Sequence, residues 1–172
     1  TSGEMYICTD ATTGANVWTN VGAGSGDVIP ATPWGARNLW AGGYPNTNTI
    51  DYVTIATIGN AVDFGDLTVN RNSHGGCGGG GKGLWMGGET PSSPSASIDY
   101  VTISTLGNAL DFGDLTAAKI QAAACSSGYR GLYMGGNNGG TFYNEIDYVT
   151  ISTPGNATDF GDLTAATSYS AA

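Results

Sequence analysis

Apolar and polar positions along the chain recur in three near-identical blocks. These read IDYVTIATIGNAVDFGDLT from Ile50, IDYVTISTLGNALDFGDLT from Ile98 and IDYVTISTPGNATDFGDLT from Ile146, a spacing of 48 residues each time (50 to 98, 98 to 146). Within IDYVTI, strand periodicity turns Ile98, Tyr100 and Thr102 to one face and Asp99, Val101 and Ile103 to the other. Both faces carry bulk, which suits a sheet sandwiched between neighbouring sheets, and the Val, Ile, Thr and Tyr content fits a pleated surface. A second apolar element recurs in phase as NLWAGG from Asn38, GLWMGG from Gly83 and GLYMGG from Gly131. The pattern predicts four short strands per unit: Val69 to Cys77, Gly83 to Met86, Ile98 to Ser104 and Ala109 to Leu115. The Gly-Asn pairs at Gly59, Gly107 and Gly155 mark the turn into the fourth.

A single unit cannot bury both faces of its sheet, so successive units must stack on one another. Radial stacking gives a propeller and linear stacking a solenoid; a period of about 40 to 50 residues with four strands per unit favours the β-propeller. The fold class expected is therefore all-β: about three four-stranded antiparallel blades, incomplete as an isolated chain. Residues 1–26 are read as an N-terminal β-hairpin with a Gly-rich linker. Residues 27–172 form the repeat region, with units near 27–68, 69–116 and 117–164 and an extra strand at 165–172. Closed propellers need at least about four blades. Three therefore leave edges that invite strand pairing, and other chains or further parts of the same polypeptide are expected to complete or cover them.

Composition supports this class. With 40% hydrophobic residues the chain is not a disordered one, and 29 glycines with only 11% charged residues favour short strands and many turns over salt-bridged helices. Fourteen acidic residues against five basic ones repel phosphate backbones, so nucleic acid is not an expected partner. No stretch approaches the roughly 18 apolar residues of a membrane span, and no signal-peptide pattern opens the chain, so no membrane insertion is expected. The start at Thr1 is read as one part of a longer polypeptide. The three cysteines Cys8, Cys77 and Cys125 do not make a disulfide framework and are expected to be small buried thiols.

The order of apolar strand, double glycine, variable loop, tyrosine-bearing strand, aromatic-bearing strand and basic residue resembles the kelch repeat. Gly42–Gly43, Gly87–Gly88 and Gly135–Gly136 match its double glycine, and Tyr52, Tyr100 and Tyr148 its tyrosine. Phe64, Phe112 and Phe160 stand near the usual tryptophan, at a longer spacing. Arg71 and Lys119 match its basic position, where the third unit has Thr167. The wording of the blocks is also similar to tail-fibre and other virion proteins of phages, marine ones especially. GEMYICTDATTGANVWTNVG resembles the short hairpins that punctuate fibre chains. These resemblances imply a virion structural protein.

Candidate chemistry is sparse. GCGGGGK from Gly76 has phosphate-loop spacing, but Gly83 stands where a Ser or Thr should bind Mg²⁺ and a strand follows instead of a helix, so a tight hairpin is expected. The aspartates of the three DFGD motifs are read as turn caps. A Ca²⁺ site at Asp63 and Asp66 or their equivalents, which would need about six to eight oxygens, is the one cofactor left open. His74, the only histidine, is read as a surface-loop residue. It cannot supply the histidine set of the kelch-like copper oxidases. The sequon at Asn156 is read as accidental, because the matching positions are GNAV and GNAL. Trp40, Trp85 and Tyr133 are expected to fill the core between blades.

Binding is placed in loops. Between the double glycine and IDYVTI lie six residues in the first unit and nine in the others, with differing composition. Loops carried on a constant scaffold are where binding usually resides. The candidate binding residues are Tyr44, Asn46, Asn48, Arg71, His74, Glu89, Ser92, Asn137, Asn138 and Tyr143. The expected function is a non-enzymatic virion component, a phage fibre or receptor-contacting adhesin. Its expected partners are other copies, other virion proteins and a host receptor or glycan. The alternative is a bacterial extracellular or surface propeller that binds carbohydrate or protein. A glycan-acting enzyme using two carboxylates ranks third.

Overall fold

The structure, a computed structural model, describes residues 3–10, 17–24 and 36–168. The chain divides into two compact units, 1–32 and 33–172. In the first, β1 (Gly3–Asp10) pairs antiparallel with β2 (Val17–Gly24).

The second unit is all-β in its described residues and consists of three antiparallel meanders. Sheet I comprises β3 (Arg37–Ala41), β4 (Thr47–Thr54) and β5 (Val62–Arg71). Sheet II comprises β6 (Gly75–Gly79), β7 (Lys82–Met86), β8 (Ser97–Thr102) and β9 (Leu110–Asp114). Sheet III comprises β10 (Ala123–Ser126), β11 (Arg130–Met134), β12 (Glu145–Thr150) and β13 (Thr158–Asp162).

Register repeats with the sequence. Leu39, Leu84 and Leu132 stand opposite Tyr52, Tyr100 and Tyr148, and Trp40, Trp85 and Tyr133 stand opposite Asp51, Asp99 and Asp147. Each IDY strand then meets a bulge. Ile98 pairs with Gly113 and Asp99 with Asp111, leaving Phe112 as the extra residue; Phe64 and Phe160 are left over in the same way. The glycine of each bulge has positive φ, 149° at Gly65, 142° at Gly113 and 138° at Gly161. Each bulged phenylalanine lies edge-on to the tyrosine of its own sheet, at 5.6–6.0 Å between centroids, and a cation covers each tyrosine: Arg37 over Tyr52, Lys82 over Tyr100, Arg130 over Tyr148.

Consecutive sheets pack face to face. Ile50, Phe64 and Leu67 of sheet I meet Trp85, Val101 and Ala109 of sheet II. Leu84, Met86, Ile98, Phe112 and Leu115 of sheet II meet Tyr133, Val149 and Ile151 of sheet III. Full burial of one such side chain stabilises by about 1.5–3 kcal/mol.

Several expectations change. The first strand of the second unit lies at Gly75–Gly79, not at Val69 to Cys77: Val69–Arg71 ends β5, and Arg71 pairs with Thr47. A strand of glycines forms here because sheet III comes too close for side chains. A Cβ on Gly75 would lie 2.8 Å from Ala124 and Tyr133, and one on Gly79 would lie 2.5 Å from the Gly128 carbonyl. Gly80 and Gly81, both at positive φ, make the two-residue turn between β6 and β7, so GCGGGGK is a hairpin. Sheet I has three strands among the described residues, not four. Of the extra strand expected at 165–172, residues 165–168 are not strand, and the rest lie outside the described residues. Trp40 is exposed, unlike Trp85 and Tyr133, because neither sheet II nor sheet III packs on its side of sheet I. Cys77 and Cys125 are free and half-buried, while Cys8 has no described side chain.

Candidate functional site

The loops that follow the double glycines are built the same way three times. Both glycines of each pair have positive φ, for example 63° at Gly87 and 97° at Gly88. The first donates its N–H across the base of its own loop: Gly42 to Thr49 O, Gly87 to Ser97 O and Gly135 to Glu145 O, each at 3.0 Å. The second donates to the stretch at the end of its own sheet: Gly43 to Arg71 O, Gly88 to Lys119 O and Gly136 to Thr167 O, at 2.8–3.0 Å. Thr167, which departs from the basic pattern, therefore keeps the backbone half of the role.

Lateral bonds join these loops into one rim. Asn72 and Glu89 exchange backbone hydrogen bonds at 3.0 and 2.8 Å, as do Ile120 and Asn137 at 2.7 and 3.0 Å. Ser73 and Gln121, 48 positions apart, both hold left-handed φ, 54° and 57°, which is uncommon outside glycine. That turn lets Gln121 N–H donate to Ser73 O at 2.9 Å, tying the entry of sheet III to the entry of sheet II.

Among the ten candidates, the rim brings together Asn46, His74, Glu89, Asn137, Asn138 and Tyr143. Asn72 donates its side-chain amide to Asn46, and Asn137 Nδ2 donates to Gln121 Oε1 at 2.7 Å. Asn138 Nδ2 donates to the Tyr143 hydroxyl at 2.8 Å, and its Oδ1 accepts from Thr141 N–H at 3.0 Å. Tyr44 is almost fully exposed and Ser92 stands at an exposed tip, its N–H donating to Thr90 Oγ1. Asn48 is half-buried within β4.

Two candidates are not displayed. Arg71 was expected near a partner-facing loop, yet its side chain is fully buried, 2.5 Å from Asp99, and its Nη1 donates to Gly87 O at 3.0 Å and Ser97 O at 2.9 Å. Its role is to hold the two ends of the Glu89–Ser97 loop. Lys119 is its counterpart, buried 3.1 Å from Asp147, with its ammonium over the Tyr143 ring. Thr68 and Thr116 complete these clasps by donating their hydroxyls to Asp99 and Asp147 at 2.8 and 2.6 Å. His74 lies in the loop between β5 and β6, as expected, but is half-buried there. Burial, and secondarily the Arg71 charge, lower its pKa from 6.5 to about 4 against the opposing effects of the Ala41 backbone and Asp99. The ring is therefore neutral at physiological pH.

In two DFGD motifs the first aspartate closes the strand bulge instead of capping a turn: Asp111 Oδ1 accepts from Gly113 N–H at 3.2 Å, and Asp159 Oδ1 from Gly161 N–H at 2.9 Å. Among the described residues, no three His, Cys, Asp or Glu side chains gather where they could share a metal ion. A cavity of about 460 Å³ lies away from the loops and is lined by residues that include Arg37, Leu39, Cys77, Trp85 and Ser126. Burial, and then the neighbouring Cys125, push the Cys77 thiol up to about 12, so no thiolate forms there near neutrality.

The asparagines of the Gly-Asn turns act between sheets, a role the sequence reading missed. Asn108 Oδ1 accepts from Asp66 N–H at 3.1 Å, and Asn156 Oδ1 accepts from Asp114 N–H at 3.0 Å. In-phase recurrence of asparagine in all three blocks was the available signal. The chain matches no protein-family model, and no curated protein matches it.

Proposed function

We propose that the chain is a non-enzymatic virion structural component, a phage fibre or receptor-contacting adhesin, whose kelch-like propeller blades display the double-glycine loops. One observation carries this reading. The backbone bonds at the loop bases repeat three times, while the segments they close differ in length and composition. A constant frame with varied loops is the arrangement expected of display. Two further facts support it. All five basic residues are engaged, Arg71 and Lys119 in buried ion pairs and Arg37, Lys82 and Arg130 over tyrosine rings, which leaves an acidic surface unsuited to nucleic acid. The virion assignment rests on the resemblance of the blocks' wording to phage fibre sequences.

The alternative, a bacterial surface propeller that binds carbohydrate, is favoured by exposed aromatics on the same loops, Tyr44 and Phe142. A host-cell binding assay and a glycan array test both. Saturable binding lost on replacing Glu89–Ser97 or Asn137–Glu145 with Gly/Ser supports loop display. Binding that survives both replacements overturns it.

A further inference from the structure

The two internal joints, sheet I on sheet II and sheet II on sheet III, are made from the same parts. The bulged phenylalanine and adjacent leucine of one sheet pack on the Trp or Tyr and the valine of the next. The Gly-Asn turn of the later sheet docks on the DFGD bulge of the earlier one. Ala109 N–H donates to Asp66 O at 2.7 Å and Ala157 N–H to Asp114 O at 2.7 Å, beside the Asn108 and Asn156 contacts. A cation of the earlier sheet reaches a carbonyl of the later one: Arg37 Nη1 to Ile103 O at 2.9 Å, Lys82 Nζ to Ile151 O at 3.1 Å. A threonine and a cation of the earlier sheet clasp the IDY aspartate of the later one.

Each outer face carries one half of this set with nothing against it among residues 36–168. On sheet III, Phe160 is 52% exposed, whereas Phe64 and Phe112 are each 2%. Arg130, Leu163 and Thr164 hold the positions of Lys82, Leu115 and Thr116. On sheet I, Trp40 is 51% exposed against 5% for Trp85 and 0% for Tyr133, and Ile55 is 68% exposed against 1% for Ile151. Asp51 and the Gly59–Asn60–Ala61 turn complete that half. The positive φ of Gly161 accounts for a glycine there without a partner, so the weight rests on the aromatic, cationic and turn residues.

We infer that these outer faces are the two halves of a third joint, made between copies: sheet III of one chain docks head to tail on sheet I of a second. Phe160 packs on Trp40 and Val53, Asn60 accepts from Asp162 N–H, Arg130 donates to Ile55 O, and Thr164 donates to Asp51. The inference rests on sheet geometry and stands whether or not the loops bind a receptor. Head-to-tail contacts close into a ring when the rotation allows it, and two copies supply six sheets, within the range of about four to eight that close a propeller. The joint between copies also differs from the internal ones in one respect. Thr167 replaces the cation, so Asp51 enters without a charge partner.

The experiment is sedimentation of the full chain and its variants across a concentration series, with circular dichroism as the check on folding. The wild type is expected to dimerise, and Phe160→Asp and Trp40→Asp are each expected to be folded monomers, since both side chains are exposed in the single copy. Mixing these two variants restores dimers through the one intact joint, an outcome that a face-to-face contact between like surfaces does not give. Thr167→Lys is expected to tighten association by about fivefold, the scale of a modest ion pair, and adding Asp51→Asn removes the gain. A wild type that stays monomeric throughout, as when other proteins or further repeats of a longer polypeptide cover these faces, overturns the inference. So does a dimer indifferent to Phe160→Asp and Trp40→Asp, or a mixture that does not recover.

Discussion

The joint between sheets I and II is held by an arginine, and the joint between sheets II and III by a lysine. Arg71 and Lys119 occupy the same repeat position, are equally buried and face equivalent aspartates. The guanidinium fork also reaches Gly87 O and Ser97 O, at the two ends of the loop it underlies. The ammonium instead lies 5.3 Å from the Tyr143 ring centroid and 4.0 Å from Glu145. The same charge at the same place thus gives a pinned loop in one sheet and a loop held by its own side chains in the next, as expected from a planar five-donor group and a point charge.

The largest expected effect comes from removing the cation. Arg71→Ala leaves Asp99 buried and uncompensated and is expected to cost about 3–5 kcal/mol in urea unfolding, with Lys119→Ala toward the low end because Lys119 bonds no loop carbonyl. Next is acid sensitivity, which belongs to the first joint alone because Ala122 stands where His74 does. The His74 pKa is lowered on folding, so its neutral form is favoured in the native state. That stability is complete above pH 6.5 and is lost as pH falls from 6.5 toward about 4. The loss is expected to reach at most about 3 kcal/mol, and His74→Ala should flatten the stability profile over that window. Arg71→Lys keeps the ion pair but loses the two carbonyl bonds, an expected cost of about 1–2 kcal/mol. It should raise hydrogen exchange in Glu89–Ser97 and leave Asn137–Glu145 unchanged. Smallest is the turn contact: Asn108→Ala and Asn156→Ala should each cost about 0.5–1 kcal/mol by the same denaturation measurement, equal in the two joints despite their different cations.

Much of the scaffold was legible because it is periodic. The strand alternation of IDYVTI, the double-glycine turns and the all-β class follow from spacing and residue type alone. What was not legible depends on neighbours. The glycines of β6 look like a turn because strand propensity ignores how close Tyr133 and Ala124 come. Arg71 looks like a loop charge because its partner Asp99 lies in another strand, although the matching 28-residue offsets from Arg71 to Asp99 and from Lys119 to Asp147 were present in the repeat. Trp40 matches Trp85 in sequence and differs in exposure because neither sheet II nor sheet III packs beside it, as sheet I does beside Trp85.

The paired glycine bonds have a consequence for engineering and for divergence. Because both bonds at each loop base run from backbone to backbone, the positions where the chain leaves and re-enters the sheet do not depend on what lies between. The six-residue and nine-residue loops depart from the same geometry. For a flexible segment the closure cost rises only about 0.6 kcal/mol per doubling of length. Each double glycine therefore acts as a socket: a foreign peptide exchanged for the exposed tips at 91–93 or 138–142 would be presented on a frame whose own backbone bonds stay in place.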